Sequence, residues 1–411
     1  MQSNNRNVMI YAEAKRLTEK ELCMKFFHLS DLHIGLKLMN RDLREDQEYI
    51  LDEITELARR ERPDAVVIAG DIYDKAVPSA EAVEVFDRFL VGLTEAVPDA
   101  VIMMISGNHD SAPRVNCFRK VLSGQNIYMV GQPPRTESEY IEKVILNDAY
   151  GEVNFYLLPF VKPSMVKQIT GTDKNGNNLS YNETLHRLID RETINQNKRN
   201  VLVSHQFYLP TGKKAEEIER MDSEMRTVGN IDEVSADVLG KFDYAALGHI
   251  HKPEIIFEDL MAYAGSLEPL DHTEMGYHGL IEGEISEEKK QITFVPFAKR
   301  MYTQVEVMIS DEMSALEIVD RVETELSYRG RENIYEIVLT GSVDPQIHLD
   351  FYEITSQYMV TDIIYETKNQ WEYEQLSEED DFIIQKVADI LKDEPEALRY
   401  AMEALTYARE K

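Results

Sequence analysis

The sequence predicts a layered α/β fold followed by a small second domain and a helical C-terminal segment. Short apolar runs with the length of buried strands alternate with stretches of helical periodicity, and a β-rich stretch follows them. Composition then changes near residue 300. Strands that alternate with helices indicate an α/β layered domain, and the later strands would complete a sheet, giving a sheet sandwich with flanking helices.

The first region supplies most of the predicted elements. Six apolar runs have strand character, at 25–30, 64–70, 100–106, 153–159, 200–204 and 243–248. Helical spacing of apolar side chains covers two stretches, 42–62 and 79–93. Three later runs are predicted to be strands that finish a sheet, at 261–267, 278–285 and 291–298.

Four segments divide the chain. Residues 1–23 are polar and are expected to be a flexible extension, with Met24 a candidate natural start. Residues 24–300 form the main domain. Residues 301–370 form a small domain of order β-α-β-α-β, with elements expected at 302–309, 313–328, 334–340, 347–358 and 360–365. Residues 371–411 are expected to form an acidic link and helices that Pro395 divides.

Composition excludes several classes of protein. No apolar run approaches the ~20 residues of a membrane span, and the N-terminus lacks the pattern of a signal peptide. Two cysteines outside any CxxC motif indicate neither a disulfide framework nor a zinc knuckle, so a cytoplasmic setting is expected. The net charge of −31 argues against nonspecific binding of nucleic acid through a positively charged surface. A nucleic-acid substrate is not excluded, because bound dications or a partner could supply positive charge. The simpler explanation of the acidic composition is high solubility.

The first two motifs each follow a predicted strand. Asp31 and His33 are two residues apart, so on an extended segment they would face the same way and form half of a cation site. Asp71 follows Gly70, which permits a sharp turn after the apolar run 65–69. Carboxylates at the end of a buried strand lie where α/β sheets gather ligands. A helix N-cap or a turn is the alternative for Asp71.

Three more motifs continue this pattern. Asn108 offers a neutral oxygen ligand, and His109 beside it could face a metal or a substrate. His205 ends another apolar run, and His249 and His251 follow the next one. A lone buried histidine is more often a hydrogen-bonded core residue than a ligand. Here, however, five of the ten histidines lie in these motifs, and each motif ends an apolar strand.

Together these side chains make a mixed oxygen and nitrogen ligand set. Such a set suits two octahedral-type ions and favours Mn²⁺ or Fe²⁺ over a metal that prefers thiolate. Two ions ~3.5–4 Å apart can activate a water and neutralise a phosphoryl transition state. The sequence contains no GxSxG elbow, no P-loop motif and no CxxxxxR pattern, so it predicts no rival nucleophile.

The order DxH, GDxxD, GNHD, H and GHxH resembles that of the calcineurin-like metallophosphoesterase superfamily over roughly residues 25–300. FFHLSDLHIG, VVIAGDIYDKAVPS, SGNHDSAPR and FDYAALGHIHKPE are more specifically similar to the SbcD family of bacterial nuclease subunits, and YAGSLEPLDHTEMGYHG resembles its following segment. The resemblance implies a four-layer sandwich of two mixed sheets flanked by helices. It also implies a small α+β capping domain that positions DNA, and C-terminal helices that contact a partner.

The resemblance also implies a role for each site residue. One metal would take Asp31, His33, Asp71 and His251. The other would take Asp71, Asn108, His205 and His249, with Asp71 as the bridge. His109 would contact the scissile phosphate or protonate the leaving oxygen. Asp74 would orient His109 through a hydrogen bond that favours the imidazolium form, and simple turn capping is the alternative for Asp74.

The implied function is that of a Mn²⁺-dependent DNA nuclease, a double-strand exonuclease and single-strand endonuclease of DNA end processing, repair and recombination. The implied partners are DNA ends and hairpins, an SbcC-type SMC-like ATPase and a second copy of the chain. Fe²⁺ or Mg²⁺ are alternatives to Mn²⁺. The alternative hypothesis is that the chain is a small-molecule phosphodiesterase or phosphatase. A third hypothesis is that it is a scaffold with a structural metal. The C-terminal helices could instead pack on their own domain.

Overall fold

The computed structural model describes residues 23–38, 41–210, 232–256, 261–270, 274, 276–286, 290–297, 299–343 and 347–367. The predicted N-terminal extension, except Cys23, and the predicted C-terminal helices lie outside these residues. Contacts between Cα atoms divide the chain into two units. The first comprises Met1–Gln304, Gly330–Glu336 and Tyr358–Thr361, and the second comprises Val305–Arg329, Ile337–Gln357 and Asp362–Lys411. The four segment boundaries predicted from the sequence stay a prediction.

One six-stranded sheet contains the first three motif-bearing strands. With strands numbered along the chain, its order is β16-β15-β1-β4-β5-β6. Four neighbouring strands run parallel, namely β1 (Met24–Leu29), β4 (Ala65–Ala69), β5 (Val101–Ile105) and β6 (Ile127–Val130). The other two are antiparallel to their neighbours, namely β15 (Gly279–Ile285) and β16 (Lys290–Pro296). The fully buried run AVVIA of β4 suits a central parallel strand.

A second six-stranded sheet has the order β13-β14-β12-β9-β8-β7. Its parallel strands are β8 (Gly151–Leu158), β9 (Arg199–His205), β12 (Tyr244–Gly248) and β14 (Met261–Tyr263). Antiparallel edge strands complete it, namely β7 (Glu142–Asp148) and β13 (Glu254–Ile256). Two short pairs lie outside both sheets, β2 (Lys37–Leu38) with β3 (Arg41–Asp42) and β10 (Tyr208–Leu209) with β11 (Val234–Ser235).

Helices cover the outer face of each sheet. On the first sheet lie α1 (Arg44–Glu61) and α2 (Ala80–Ala96), whose apolar side chains share one core cluster with β1, β4 and β5. Short helices α3 (Ala112–Val115) and α4 (Arg119–Leu122) follow. On the second sheet lie α5 (Pro163–Thr170) and α6 (Tyr181–Asp190), which share a cluster with β8, β9 and β12. A 3-10 helix spans Ala236–Lys241.

A third core cluster joins the inner faces of the two sheets. It contains Phe26 and Met103 from the first sheet with Phe155 and Tyr244 from the second, all nearly inaccessible to solvent. His28 crosses this interface, with Nδ1 3.0 Å from the Tyr244 hydroxyl and Nε2 3.1 Å from the Leu247 carbonyl oxygen. Burial lowers its pKa to about 3, so this histidine is a neutral core residue. The layers are therefore helix, sheet, sheet and helix, and the predicted fold class is confirmed.

The chain after residue 300 forms a three-stranded sheet of order β17-β18-β19. Its strands are β17 (Tyr302–Ile309), β18 (Ile334–Gly341) and β19 (Met359–Thr367), with α7 (Ala315–Arg329) and α8 (Tyr352–Gln357) between them. The predicted order β-α-β-α-β is found, although α8 is shorter than the helix expected at 347–358. Within the described residues, no helix has both the length and the apolarity that crossing a bilayer requires.

Candidate metal centre

Five parallel strands each deliver a polar side chain at or just beyond the carboxyl end. Asp31 follows β1, Asp71 follows β4, and Asn108 follows β5 in the first sheet. His205 ends β9 and His249 follows β12 in the second sheet. The carboxyl ends of parallel strands share one edge of a sheet, so each sheet presents its ligand candidates at one edge.

The backbone at these positions is unusual. Asp31, His33, Asp71 and His249 have positive φ angles of 51°, 41°, 47° and 94°. Residues other than glycine rarely adopt such angles, and they persist where the surrounding structure over-determines them. The expectation that Asp31 and His33 face one way because the segment is extended is wrong. Strand β1 ends at Leu29, and a left-handed turn brings both side chains to the site instead.

Two glycines permit the close approach of the ligand candidates. A Cβ atom on Gly107 would lie 2.1 Å from Asp71 Oδ1. A Cβ atom on Gly70, whose φ is 94°, would lie 2.3 Å from His205 Nδ1. No real Cβ atom tolerates such distances, so a side chain at either position would displace a site residue. The sharp turn predicted at Gly70 is present, and it also makes room for His205.

The first ligand group consists of Asp31, His33 and His251. Each offers a ligand atom within 4.8 Å of the other two, and all three side chains are buried. His251 Nε2 lies 3.9 Å from Asp31 Oδ1, and the His33 and His251 rings meet edge to face with centroids 5.0 Å apart. The backbone N–H of His249 donates to Asp31 Oδ1 at 3.1 Å, which fixes the carboxylate.

The second ligand group is arranged around Asn108. Its Oδ1 lies 2.9 Å from His205 Nε2 and 2.9 Å from His249 Nδ1. The His205 and His249 rings also meet edge to face, with centroids 5.3 Å apart. His205 Nδ1 lies 2.7 Å from the Ala69 carbonyl oxygen, which requires the proton on Nδ1 and directs Nε2 into the site.

Asp71 contacts both groups. Its Oδ2 lies 3.2 Å from His205 Nε2 and 3.7 Å from His33 Nε2. Burial opposes its charge, but the attraction of His205 outweighs burial and holds the pKa of Asp71 far below its usual range. The same attraction overcomes the effect of burial on His205 and raises its pKa to about 9. The pair thus binds a proton where a metal cation would bind.

The residues fit divalent metal ions. His33 Nε2 is buried without a hydrogen-bond partner, although it faces the Asp71 carboxylate. Leaving a buried polar atom unpaired costs ~1–3 kcal/mol, and coordination of a cation would remove that cost. Carboxylate, amide and imidazole donors together are the set that hard to borderline dications prefer. Histidine and aspartate groups of this chain are therefore positioned for divalent metal binding.

His109 and Asp74 lie beside the first ligand group. The His109 ring is 4.7 Å from the His33 ring, centroid to centroid, and its Nδ1 is 3.0 Å from the Asp74 backbone carbonyl oxygen. The expected hydrogen bond between the two residues therefore involves the backbone of Asp74. The carboxylate faces His33 instead, with Oδ1 3.8 Å from His33 Nδ1. Burial raises the pKa of Asp74, but interaction with His33 outweighs it, so this carboxylate is ionised.

Sequence reasoning gave no role to Asp110, which ties two motifs together. Its Oδ2 accepts hydrogen bonds from the backbone N–H groups of Gly107 at 2.9 Å and Ile72 at 3.1 Å. Its Oδ1 accepts a third from Tyr73 at 3.0 Å. Asp110 therefore holds the Asp71 and Asn108 loops in register. Its place in the GNHD motif was the only signal for this in the sequence.

A cavity of about 520 Å³ opens beside Asp74. Its lining includes three basic side chains, Lys37, Arg44 and Lys75, and three acidic ones, Asp42, Asp74 and Glu81. The cavity also reaches the N-terminal turn of α2, where Ser79 Oγ accepts from the backbone N–H of Ala82 at 3.2 Å. The acidic and basic side chains balance in number, and the positive end of the α2 dipole adds a partial positive charge at one side of the cavity.

Glu268 is a buried side chain, 5% exposed, that is linked to the His33 loop through Gln47. It interacts with the Gln47 side chain, and Gln47 in turn donates to the His33 carbonyl oxygen at 3.1 Å and accepts from Gly35 N–H at 2.9 Å. Burial raises the pKa of Glu268 from 4.5 to about 8. Glu268 is therefore protonated in the folded protein at neutral pH.

We expect Glu268 to make the folded protein less stable as pH rises. Between pH 4.5 and about 8 the unfolded chain has lost this proton while the folded chain keeps it. The free energy of unfolding must then fall with pH, by at most ~1.4 kcal/mol per unit from this group. Urea unfolding of metal-free Glu268→Gln and unmodified protein over this range should show a shallower decline in the variant. Equal slopes would contradict the assignment.

Comparison with known proteins identifies the family of this chain. The family model described as calcineurin-like phosphoesterase matches residues 24–253, which contain all nine predicted site residues. A dimetal phosphatase structure from Danio rerio is similar with a TM-score of 0.39 and 14% identity, covering 69% of this chain and 100% of that one. That likeness is too distant to assign a function. The family match shows that the chain belongs to the calcineurin-like phosphoesterase family, and it is a metal-dependent hydrolase.

Two curated relatives narrow the assignment within that family. A protein named as the SbcD component of the SbcCD nuclease, from Staphylococcus epidermidis, is 30% identical over 339 residues, which cover 79% of this chain and 82% of the relative. The protein of the same name from Staphylococcus saprophyticus is 29% identical over 337 residues, covering 79% and 81%. The chain belongs to the SbcD family, as the motif wording predicted.

Proposed function

We propose that this chain is a two-metal DNA nuclease that acts on DNA ends together with an SbcC-type ATPase. The single observation that carries the two-metal part is the position of Asp71, whose carboxylate contacts His205 of one ligand group and approaches His33 of the other. The names of the curated relatives support the nucleic-acid substrate.

The ligand assignment follows the two groups. Asp31, His33 and His251 would hold one ion, Asn108, His205 and His249 would hold the other, and Asp71 would bridge them. Mn²⁺ is the proposed metal because the donors are carboxylate, amide and imidazole, with Fe²⁺ and Mg²⁺ as competitors. When bound, the ions lower the pKa of a water nucleophile and neutralise the developing charge on phosphate.

His109 would handle the proton of the leaving group. A carbonyl oxygen accepts only, so the hydrogen bond to Asp74 O fixes the proton of His109 on Nδ1. In the imidazolium form His109 Nε2 carries a second proton, which it can donate to the leaving oxygen of the scissile phosphate. Asp74 therefore acts as a positioning residue through its backbone.

DNA would approach along the cavity beside Asp74, where Lys37, Arg44 and Lys75 would contact its phosphates although three acidic side chains line the same cavity. A net charge of −31 leaves this chain poorly suited to grip DNA alone, so the ATPase partner would supply most of the phosphate contacts. The small domain at 301–370 would position DNA, the helices at 371–411 would bind the partner, and two copies would form a dimer. A cytoplasmic location remains the expectation.

A nuclease assay tests this proposal. Purified chain with Mn²⁺, Fe²⁺ or Mg²⁺ is incubated with duplex DNA bearing free or blocked ends, hairpins and single strands, with and without an SbcC-type ATPase. We expect Mn²⁺-dependent cleavage of DNA that EDTA abolishes, readdition of Mn²⁺ restores, and the ATPase increases. Bis-p-nitrophenyl phosphate and cyclic nucleotides serve as small-ester comparisons. Hydrolysis of the small esters alone would favour the alternative phosphodiesterase, and no hydrolysis of any phosphoester would favour the scaffold.

A further inference from the structure

A buried glutamate contacts one of the ligand candidates. Glu274 Oε1 lies 2.7 Å from His251 Nδ1. Both side chains are almost completely buried, at 1% and 2% exposure. The other ring nitrogen, His251 Nε2, points to Asp31 at 3.9 Å. The His251 imidazole therefore lies between the carboxylate of Glu274, which is outside the ligand group, and that of Asp31, which belongs to it.

The position of Glu274 is itself fixed by hydrogen bonds. Its Oε2 accepts from Ser266 Oγ at 2.9 Å and from the Leu270 backbone N–H at 3.1 Å. Ser266 Oγ lies 3.0 Å from His278 Nδ1, and His278 Nε2 lies 3.3 Å from the Glu274 carbonyl oxygen. Glu274, Ser266 and His278 form a closed polar cluster behind the His251 ring. None of the three was singled out from the sequence.

We infer that Glu274 is a positioning residue for the Asp31, His33 and His251 half of the centre. It accepts the Nδ1–H of His251, so that Nε2 is the unprotonated nitrogen and faces the cation position. A carboxylate behind a ligating imidazole fixes the tautomer and the ring orientation, and it increases the basicity of the ligating nitrogen. This inference rests on the proposed two-metal function. It adds that the two ligand groups depend differently on the residues behind them.

The asymmetry comes from the second ligand group. There His205 Nδ1 meets the neutral Ala69 carbonyl oxygen at 2.7 Å. His251 meets a carboxylate at the same distance. A charged acceptor makes a stronger hydrogen bond than a neutral one. Loss of Glu274 should therefore weaken the ion held by His251 and leave the ion held by His205 in place.

The test is Mn²⁺ binding to the full-length, metal-free protein, measured by calorimetry and by metal content after gel filtration. We expect Glu274→Ala to weaken one of the two sites ~10–100-fold while the other site keeps its affinity. Glu274→Gln can still accept the N–H through its amide oxygen but lacks the charge. It should therefore restore only part of the affinity, whereas a purely structural role for the side chain would predict full restoration by glutamine.

Asp148→Asn is the matched control. Its carboxylate also accepts several hydrogen bonds, from Met24 N–H at 2.7 Å and Arg199 Nη1 at 2.6 Å. Asp148 ends β7, and its partner Arg199 begins β9, roughly 20 Å along that strand from His205. This variant should lower the melting temperature and leave both Mn²⁺ affinities unchanged.

The outcomes separate the inference from the proposed function. Two sites of unchanged affinity in both Glu274 variants would overturn the inference, whatever the nuclease assay gives. Equal weakening of both sites, or equal loss in Asp148→Asn, would overturn it too, since the effect would then be general destabilisation. If Glu274→Ala does not fold, as judged by circular dichroism, Glu274→Gln still tests the inference. A lower Mn²⁺ affinity at one site only would support it. Selective loss without nuclease activity would support the inference and reject the DNA substrate.

Discussion

Replacing Asp71 by alanine is expected to abolish metal binding at both positions of the centre. Its Oδ2 lies 3.2 Å from His205 Nε2 and 3.7 Å from His33 Nε2, so one carboxylate lies close to both ligand groups. Its Oδ1 also accepts the backbone N–H of His109 at 2.8 Å, which positions the loop that carries Asn108. Removing this side chain would therefore take away the proposed shared ligand and the support of Asn108, a second proposed ligand.

Metal content after equilibration with Mn²⁺ and gel filtration measures this effect directly. We expect two ions per chain in the unmodified protein and fewer than one in Asp71→Ala, with Mn²⁺-dependent hydrolysis lost. Asp64→Asn is the control at the opposite end of the same strand, where the Asp64 carboxylate accepts the Lys25 backbone N–H at 2.8 Å. It should keep both ions. If Asp71→Ala retained two ions, the assignment of Asp71 as the bridging ligand would be wrong.

The central part of the fold could be predicted because its strands are fully buried. The runs AVVIA and VIMMI are inaccessible along their whole length, so their apolar character is continuous in the sequence. Edge strand β7 alternates exposed and buried residues and contains charged side chains, and it was not predicted. Helix α6 was missed although Ser180 caps it, accepting from Glu183 N–H at 3.1 Å. That serine and glutamate spacing is a helix-start signal the sequence did contain.

The candidate site residues could be picked out from the sequence, but their geometry could not. Glycine and polar residues at the ends of buried strands are local signals, and they marked Asp31, Asp71 and Asn108. The left-handed backbone at Asp31 and His249 depends on surroundings that one sequence does not show. The residues behind the ligands are set by tertiary contacts. Glu274 lies in sequence after the last motif, and nothing in its local pattern connects it with His251.

Replacing His109 by alanine is expected to leave metal content unchanged and to lower the rate of DNA cleavage ~10²–10⁴-fold, the usual contribution of a general acid. The His109 side chain stands edge to face against His33, and its Nδ1 is engaged by the Asp74 carbonyl oxygen. The donors of both ligand groups therefore remain when the imidazole is removed. His186→Ala is the matched control, since His186 lies on α6 and pairs with Asp237 at 3.3 Å.

The choice of leaving group decides whether His109 acts as a proton donor. The alkoxide expelled from DNA is a poor leaving group and needs protonation, whereas p-nitrophenolate leaves readily without it. If His109 Nε2 supplies the proton, the deficit of His109→Ala must be large on DNA and small on bis-p-nitrophenyl phosphate. An equal deficit on both substrates would indicate that His109 binds the phosphate instead. Near-normal rates on DNA with intact metal content would remove His109 from the reaction altogether.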